Sequence, residues 1–418
     1  MHPTFGGIDF GTSNSTVGIV RDGAAQLVPL EGEHVTLPSA IFYNFEDDRT
    51  YFGRRAIEDY TLNSEGRLLR ALKSVLGTAL IHEKTRVKAR QLAFSDIVGS
   101  FLAHLKGKLD AANDGRTDSV VLGRPVHFVD EDPAADRAAQ DELEKAARAQ
   151  GFRHIAFQFE PIAAALDYEQ SVGQEEIALI ADIGGGTSDF SVVRVSPQAR
   201  KRADRQGDVL ANSGVHIGGT DFDKLLSMAV VMPHLGFGTP TADGKRNLPV
   251  SYFFDLATWQ RINLLYANKA GSDLRQIMRE AARPELVERM IDIVTHRQGH
   301  ALAGRVERAK IALTAEQQTA IELPLAAEKL AVEATAGDLD RAILEAAGRV
   351  GATAAATIRA AGLTPERIDT LFLTGGSTMI PLVRDSLTGL MPNARIVKGD
   401  VFGSVGLGLA LDAARKFG

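Results

Sequence analysis

The chain has no cysteine among its 418 residues, which excludes disulfides, thiolate nucleophiles and cysteine-ligated zinc and leaves the redox compartment undetermined by that residue. Long apolar runs are also missing. The longest, Val401 to Leu411, is too short and too glycine-rich to span a bilayer, which takes roughly 20 residues; it reads as a buried helix packed through small residues. Met1-His2-Pro3-Thr4 runs straight into the first strand without a basic or apolar leader, so the expectation is a cytoplasmic protein with no membrane partner. Charge of one sign is scarce: a formal net charge of −6 supplies no electrostatic reason for a nucleic-acid partner. The one basic run, Arg200-Lys201-Arg202, is short and reads as a solvated loop. No G-x-x-x-x-G-K-[ST], H-E-x-x-H or G-x-S-x-G occurs, so P-loop, zinc-protease and hydrolase-triad chemistries lack support. His296 and His300 are four apart, but Gly299 weakens the helix and no third ligand accompanies them.

What is present is an ordinary globular composition, 44% hydrophobic and 24% charged, with length for about two to four domains. Three glycine-rich turns, each entered from an apolar strand, punctuate it: Asp9-Phe10-Gly11-Thr12-Ser13-Asn14, Asp182-Ile183-Gly184-Gly185-Gly186-Thr187 and Thr374-Gly375-Gly376-Ser377. Glycine lets backbone N–H groups approach phosphate oxygens, and Ser or Thr hydroxyls add donors. A carboxylate at a strand end can hold Mg²⁺ through its waters. The first two turns resemble each other when Thr12 to Val17 is laid against Thr187 to Val192 with a two-residue gap. Each reads as strand, tight turn and returning strand, which suggests two related lobes with phosphate between them.

Along the chain, residues 5–45 read as a strand meander, and 54–76 and 93–109 as a mostly helical insertion. A strand at 119–123, a helix from about Ala134 to Gln150, a strand at 155–159 and a helix from Ile162 to Tyr168 follow. The second half restarts with a strand at 177–181 and a helix from Phe222 for which Asp221 makes an N-cap. Residues 235–299 read as irregular, then helices at 302–313, 339–361 and 381–390 alternate with a strand at 371–373.

The ordered set Ile8 to Ser15, Glu160-Pro161-Ile162-Ala163-Ala164-Ala165, Asp182 to Thr187, Gly218-Gly219-Thr220-Asp221-Phe222-Asp223, Glu307-Arg308-Ala309-Lys310 and Gly375-Gly376-Ser377-Thr378 resembles the nucleotide-binding half of the DnaK-type heat-shock chaperones. The bulky insertion and Gln158-Phe159-Glu160-Pro161 resemble their short YegD-like branch. The resemblance implies an α/β fold, the two-lobed actin-like ATPase architecture of duplicated ribonuclease-H-like lobes with a helical insertion in each. Lobe I is then expected over residues 1–171 and 399–418, with an insertion at about 39–116; lobe II covers 172–398, with an insertion at about 219–337.

The resemblance also implies ATP or ADP with Mg²⁺ in the cleft. It makes Asp9 and Asp182 the carboxylates for hydrated Mg²⁺, and Gly11 to Asn14 and Gly184 to Thr187 the phosphate loops. Lys73 matches the family lysine at the γ-phosphate and attacking water, although alone it passes for a solvated lysine. Glu160 matches the glutamate that orders metal-bound water, Thr187 is a candidate for aligning the nucleophilic water, and Pro125 resembles the proline switch between lobes. Gly218, Gly219, Asp221, Gly375, Gly376 and Ser377 join the nucleotide contacts. Glu307 and Lys310 share a helix face and could grip the ribose; the plain alternative is a surface salt bridge.

Two departures stand out. Ile311 and Met379 occupy positions where the family carries arginines at the adenine, so the base is expected to rest on apolar contacts and to bind more weakly. The chain also stops at Phe417-Gly418 where the chaperones continue into a linker and β-sandwich, so the expectation is that no peptide-binding domain accompanies it and that any client or co-chaperone meets the lobes themselves. A DnaK-like ATPase switch is the favoured function. A small-molecule kinase, an actin-like filament protein and a nucleotide-binding scaffold without turnover are the alternatives.

Overall fold

The computed structural model describes residues 4–62, 64–129, 132–169, 172–199, 202, 205–326, 328–398 and 403–418. Met1–Pro3, Arg200 and Lys201 of the basic run, and Val401 and Phe402 of the apolar run lie outside the described residues, and the lobe divisions expected after 171 and 398 fall against residues 170–171 and 399–402, also outside them.

β1 (Phe5–Phe10), β2 (Asn14–Arg21) and β3 (Ala24–Leu27) form the expected meander, with β4 (Thr36–Pro38) beside β2. β5 (Ala40–Asn44), β6 (Thr50–Phe52), α1 (Gly53–Thr61) and β7 (Gly66–Arg70) build a small separate sheet and its helix. The hairpin β8 (Lys84–Val87) to β9 (Arg90–Ala93) leads into α2 (Phe94–Ala112), and β10 (Ser119–Arg124), α3 (Pro133–Ala149), β11 (His154–Phe159) and α4 (Glu160–Glu169) follow. The second half runs β12 (Glu176–Ile183), β13 (Ser188–Val195), β14 (Val209–Val215) and α5 (Gly219–Leu226). Then come α6 (Val250–Ala257), α7 (Asn268–Glu280), α8 (Pro284–Thr295) and α9 (Gly299–Ala312), and the hairpin β15 (Gln318–Glu322) to β16 (Ala331–Thr335). α10 (Ala336–Ala360), β17 (Thr370–Thr374), α11 (Pro381–Thr388), β18 (Arg395–Lys398) and α12 (Ser404–Phe417) complete it.

The two main sheets repeat one plan. Their strand orders are β3-β2-β1-β10-β11 and β14-β13-β12-β17-β18, the first three strands of each antiparallel and the last two added in parallel. Parallel addition needs a crossover, and α2 and α3 serve the first sheet as α10 and α11 serve the second. Each unit ends in a helix that packs on the sheet of the other: Ile162, Ala164 and Ala165 of α4 join Ala178, Ile180, Val193 and Phe372 in one core, while Leu409 and Ala413 of α12 join Val121 in another. The two helices cross so closely that a Cβ on Gly408 would lie 1.8 Å from the Ala163 carbonyl oxygen. No described helix is long and apolar enough to cross a membrane.

Three local expectations are corrected. The helix expected over Arg54–Leu76 stops at Thr61; Gly66–Arg70 pairs with β5 (Ile41 opposite Leu69), and Ala71 turns left-handed (φ 55°) into a 3-10 turn at Leu72–Val75. Strand pairing there overrides a helical spacing, and the first insertion is largely β before α2. Residues 235–299 are not irregular but hold α6, α7 and α8, with Trp259 in the turn after α6. Asp221 is not the N-cap of α5: Gly218 is, and the Asp221 carboxylate reaches back to the Gly218 N–H at 3.2 Å.

Candidate functional site

The hairpins β1–β2 and β12–β13 carry the site at equivalent places in the two sheets. Asp9 stands opposite Thr16, and Asp182 opposite Asp189, across loops of equal length. The alignment is therefore gapless: Gly11 matches Gly184, Ser13 matches Gly186, Asn14 matches Thr187, and the two-residue gap inferred from the sequence is an error caused by matching Thr-Ser to Thr-Ser. The two loops meet across the cleft, where a Cβ on Gly185 would be 2.3 Å from Ser13 Oγ. The third turn closes on the second. Gly375 (φ 83°) has Ile183 O at 2.4 Å and Asp182 Oδ1 at 2.6 Å from its Cβ position, so only glycine fits.

Neighbouring segments hold the loop carbonyls. Ser39 donates its Oγ–H to Gly11 O (2.6 Å) and its N–H to Ser13 O (2.8 Å). In the second loop Gly219 N–H reaches Gly184 O (3.0 Å), Thr220 donates both N–H and Oγ–H to Gly185 O (2.8 Å each), and Ser377 Oγ reaches Gly184 O (3.1 Å). Tying the carbonyls into the body of the fold leaves N–H groups as the outward polar face of a glycine loop, which is what an anion needs.

Between the loops stand three carboxylates and one lysine. Gly123, at the end of β10, places its Cβ position 3.6 Å from Asp9 Oδ1 and 3.3 Å from Glu160 Cγ, so both acids flank one bare strand end. Lys73, 8% exposed in the 3-10 turn, forms an ion pair with Glu160, the first residue of α4. Burial pushes Asp9 up to about 8, with Glu160 and Asp182 adding to the shift and Lys73 opposing it. Burial likewise pushes Asp182 up to about 7, helped by Asp189 and Glu160. For Lys73 burial works downward, but Glu160 and Asp9 prevail and hold it above its ordinary value.

Two carboxyls held this far from ionisation are short of positive charge. A hard divalent cation suits that donor set, and Mg²⁺, which keeps several of its waters, needs only one or two carboxylates to hold it.

The second half supplies the remaining wall. Lys310, 7% exposed on α9, donates to Gly219 O (3.1 Å) and pairs with Asp223 Oδ1 (2.8 Å). Burial pushes Asp223 up to about 6 against the pull of Lys310. Glu307 lines the same cleft, whereas Asp221 is taken up by the helix cap and by Lys224 (2.8 Å). Ser377 Oγ lies 2.9 Å from the Cβ position of Gly219. Thr187 Oγ–H donates to Asp189 Oδ2 (2.8 Å). Pro125 follows the last residue of β10, Arg124, which donates to its carbonyl (3.0 Å) and grips Asp136 (2.8 Å). Ile311 and Met379 are 58% and 46% exposed.

Sequence reasoning passed over Ser39, Asp189, Asp223 and Arg70. Asp189 was findable from the register opposite Asp182, and Asp223 from its place in the quoted motif; nothing local marks Ser39 or Arg70. His300 is a core histidine, packed between Tyr60 and Trp259 and pushed down to about 4 by burial, while His296 pairs with Asp292.

Comparison with known proteins agrees with this architecture. The family model described as "Hsp70 protein" matches residues 5–233 and 271–414. The chain is 26% identical over 428 residues to the chaperone protein HscA of Pectobacterium carotovorum subsp. carotovorum, covering 97% of this chain and 57% of that one. It is 26% identical over 448 residues to the chaperone protein DnaK of Thermus thermophilus, covering 99% and 61%, and 30% identical over 247 residues to an HscA homologue of Aliivibrio salmonicida, covering 54% and 37%. The chain thus spans about three-fifths of the length of the relatives it matches end to end. With the family model matched across both sheets and all three glycine turns, the chain belongs to the Hsp70 family.

Proposed function

We propose that the chain binds Mg·ATP between its two sheets and hydrolyses it slowly, and that closure of lobe I (1–171 with 399–418) on lobe II (172–398) switches its affinity for a protein partner. The observation that carries this reading is the convergence of Asp9, Asp182, Glu160 and Lys73 at the mouths of two glycine hairpins, with both aspartates pushed up by burial and by the neighbouring carboxylates. Asp9 and Asp182 would hold the hydrated metal, which when bound neutralises phosphate oxygens and so lowers the cost of the transferred charge. Gly11 to Asn14 and Gly184 to Thr187 would cradle the phosphates. Lys73, kept charged by Glu160, would face the γ-phosphoryl group, and Thr187, fixed through Asp189, would orient the water whose oxygen forms the new P–O bond as the bond to the β-phosphate oxygen breaks. Glu307 and Lys310 would grip the ribose. The printed names of the relatives, chaperone proteins HscA and DnaK, make a client or co-chaperone the expected partner.

Steady-state phosphate release from Mg·ATP, compared between wild type and folded Asp182→Ala, tests the reading. Turnover that vanishes in the variant supports it. Nucleotide binding without turnover in the wild type would leave a nucleotide-sensing scaffold instead.

A further inference from the structure

A cation from the first half reaches the wall that carries Glu307 and Asp223. Arg70 is the last residue of β7 in the first insertion. Its guanidinium carbon stands 4.6 Å from the ring centroid of Trp259. Burial lowers its pKa, while Glu307 and Asp223 pull the other way, so both acids of the nucleoside wall feel its charge. A small pocket, partly open to solvent, lies here, lined among others by Arg70, Asp223, Leu256, Trp259, Val306 and Glu307. The two insertions touch beside it: Tyr60 donates its Oη–H to Asn263 Oδ1 at 2.9 Å, and the Tyr60 and Trp259 rings each lie 4.8 Å from that of His300.

We propose that Arg70 recognises the nucleoside end of the bound nucleotide, reaching from the first insertion to a base and sugar held from the opposite wall by Glu307 and Lys310. The proposal rests on the ATP-site reading above. A guanidinium offers a charged planar face that packs on any π-system, and here it already rests on an indole; an adenine presents the same kind of surface, and its amino group and the ribose hydroxyls are donors for Glu307 and Asp223. The consequence is mechanical. A nucleotide gripped this way touches both insertions at once and holds the cleft shut, whereas a bare polyphosphate occupies only the glycine loops.

The test uses the full chain, with affinities by calorimetry and with emission from Trp259, the only tryptophan. Mg·ADP and Mg·tripolyphosphate are titrated into wild type, Arg70→Ala and Arg70→Lys, each checked for native circular dichroism. Arg70→Ala is expected to weaken Mg·ADP on the order of ten-fold and to leave Mg·tripolyphosphate within about two-fold. Arg70→Lys falls between, because an ammonium keeps the charge and loses the plane. In the wild type, Mg·ADP and not Mg·tripolyphosphate shifts the Trp259 emission. Equal weakening of both ligands would overturn the proposal by making Arg70 a lobe-closing contact alone, and an unchanged Mg·ADP affinity would overturn it outright. Failure of Mg·ADP to bind the wild type overturns the ATP-site reading itself.

Discussion

In the first hairpin Asp9 faces a threonine across the ladder; in the second, Asp182 faces a second aspartate, Asp189. The first loop is tight, with the Cβ position of Gly11 only 2.1 Å from Asn14 O, while the matching Gly184 has its nearest neighbour at 3.5 Å and Gly186 has none within 4 Å. A serine from the β4–β5 connection braces the first loop, whereas the start of α5 and the third glycine turn brace the second. Equal topology therefore fixes where the two carboxylates stand, and the surroundings of each loop differ: the first is tight within itself at Gly11, while the second has room at Gly184 and Gly186, meets Ser13 at Gly185 and has a further carboxylate, Asp189, beside it. Duplication explains the geometry, and divergence explains the division of labour.

The comparison breaks hardest at its carboxylates. Asp182→Ala is expected to reduce phosphate release by at least about a hundred-fold, measured on protein with an unchanged melting profile; retention of more than half the activity would remove Asp182 from the site. Next comes loop room. Gly11→Ala should cost about 1–3 kcal/mol in chemical denaturation, because backbone stands where the methyl would go, while Gly186→Ala stays within about 0.5 kcal/mol. Similar costs at both positions would erase the tight-versus-open distinction.

Titration sharpens the contrast further. Asp9 and Asp182 rise from 3.8 to about 8 and about 7 in the folded chain, so the fold retains protons that the unfolded chain has released. Their contribution is complete below about pH 4 and is lost as pH rises through 7 to 8, so the metal-free protein should lose on the order of a few degrees of Tm across that range. Mg²⁺ should restore more at pH 8.5 than at pH 6, and Asp9→Asn with Asp182→Asn should flatten the decline; a Tm rising with pH in metal-free buffer would contradict the shifts. Ser39→Ala, which removes the brace from the first loop only, should cost about 1 kcal/mol and raise KM for Mg·ATP more than it lowers kcat. The smallest effect belongs to Asp189→Asn, which should lower the Asp182 carboxyl titration seen by NMR and leave Asp9 nearly where it was, because Asp189 acts on Asp182 and not on Asp9.

Much of this was legible without coordinates. Glycine turns after apolar strands located all three loops, and Asp9 and Asp182 could be placed because each stands near a strand end beside one, whereas Glu160 and Lys73 came only from the resemblance to the chaperone family. Helix α3 was legible because Asp132 and Pro133 start it and Gly151, at φ 98°, ends it. The helix read over Arg54–Leu76 failed because leucines at 68, 69 and 72 fit a helical face and a strand edge equally well, and pairing with β5 decided between them. α6 was missed because its eight residues have no side-chain cap, whereas α7 and α8, 13 and 12 residues long, were passed over although Pro284 at the first helical position of α8 marks its start.

By itself the sequence determined the backbone choices that are local: where glycine alone permits a turn, where apolar alternation makes a strand, and which carboxylates end them. The tertiary structure decided what depends on approach between distant segments. It set the gapless register of the two hairpins, the exchange of α4 and α12 between sheets, the pairing of Lys73 with Glu160, and the arrival of Arg70 at Trp259, residues far apart in the chain. A turn answers to steric limits within a few residues. A charge answers to whatever the fold brings within a few ångströms, and no window of sequence contains that partner.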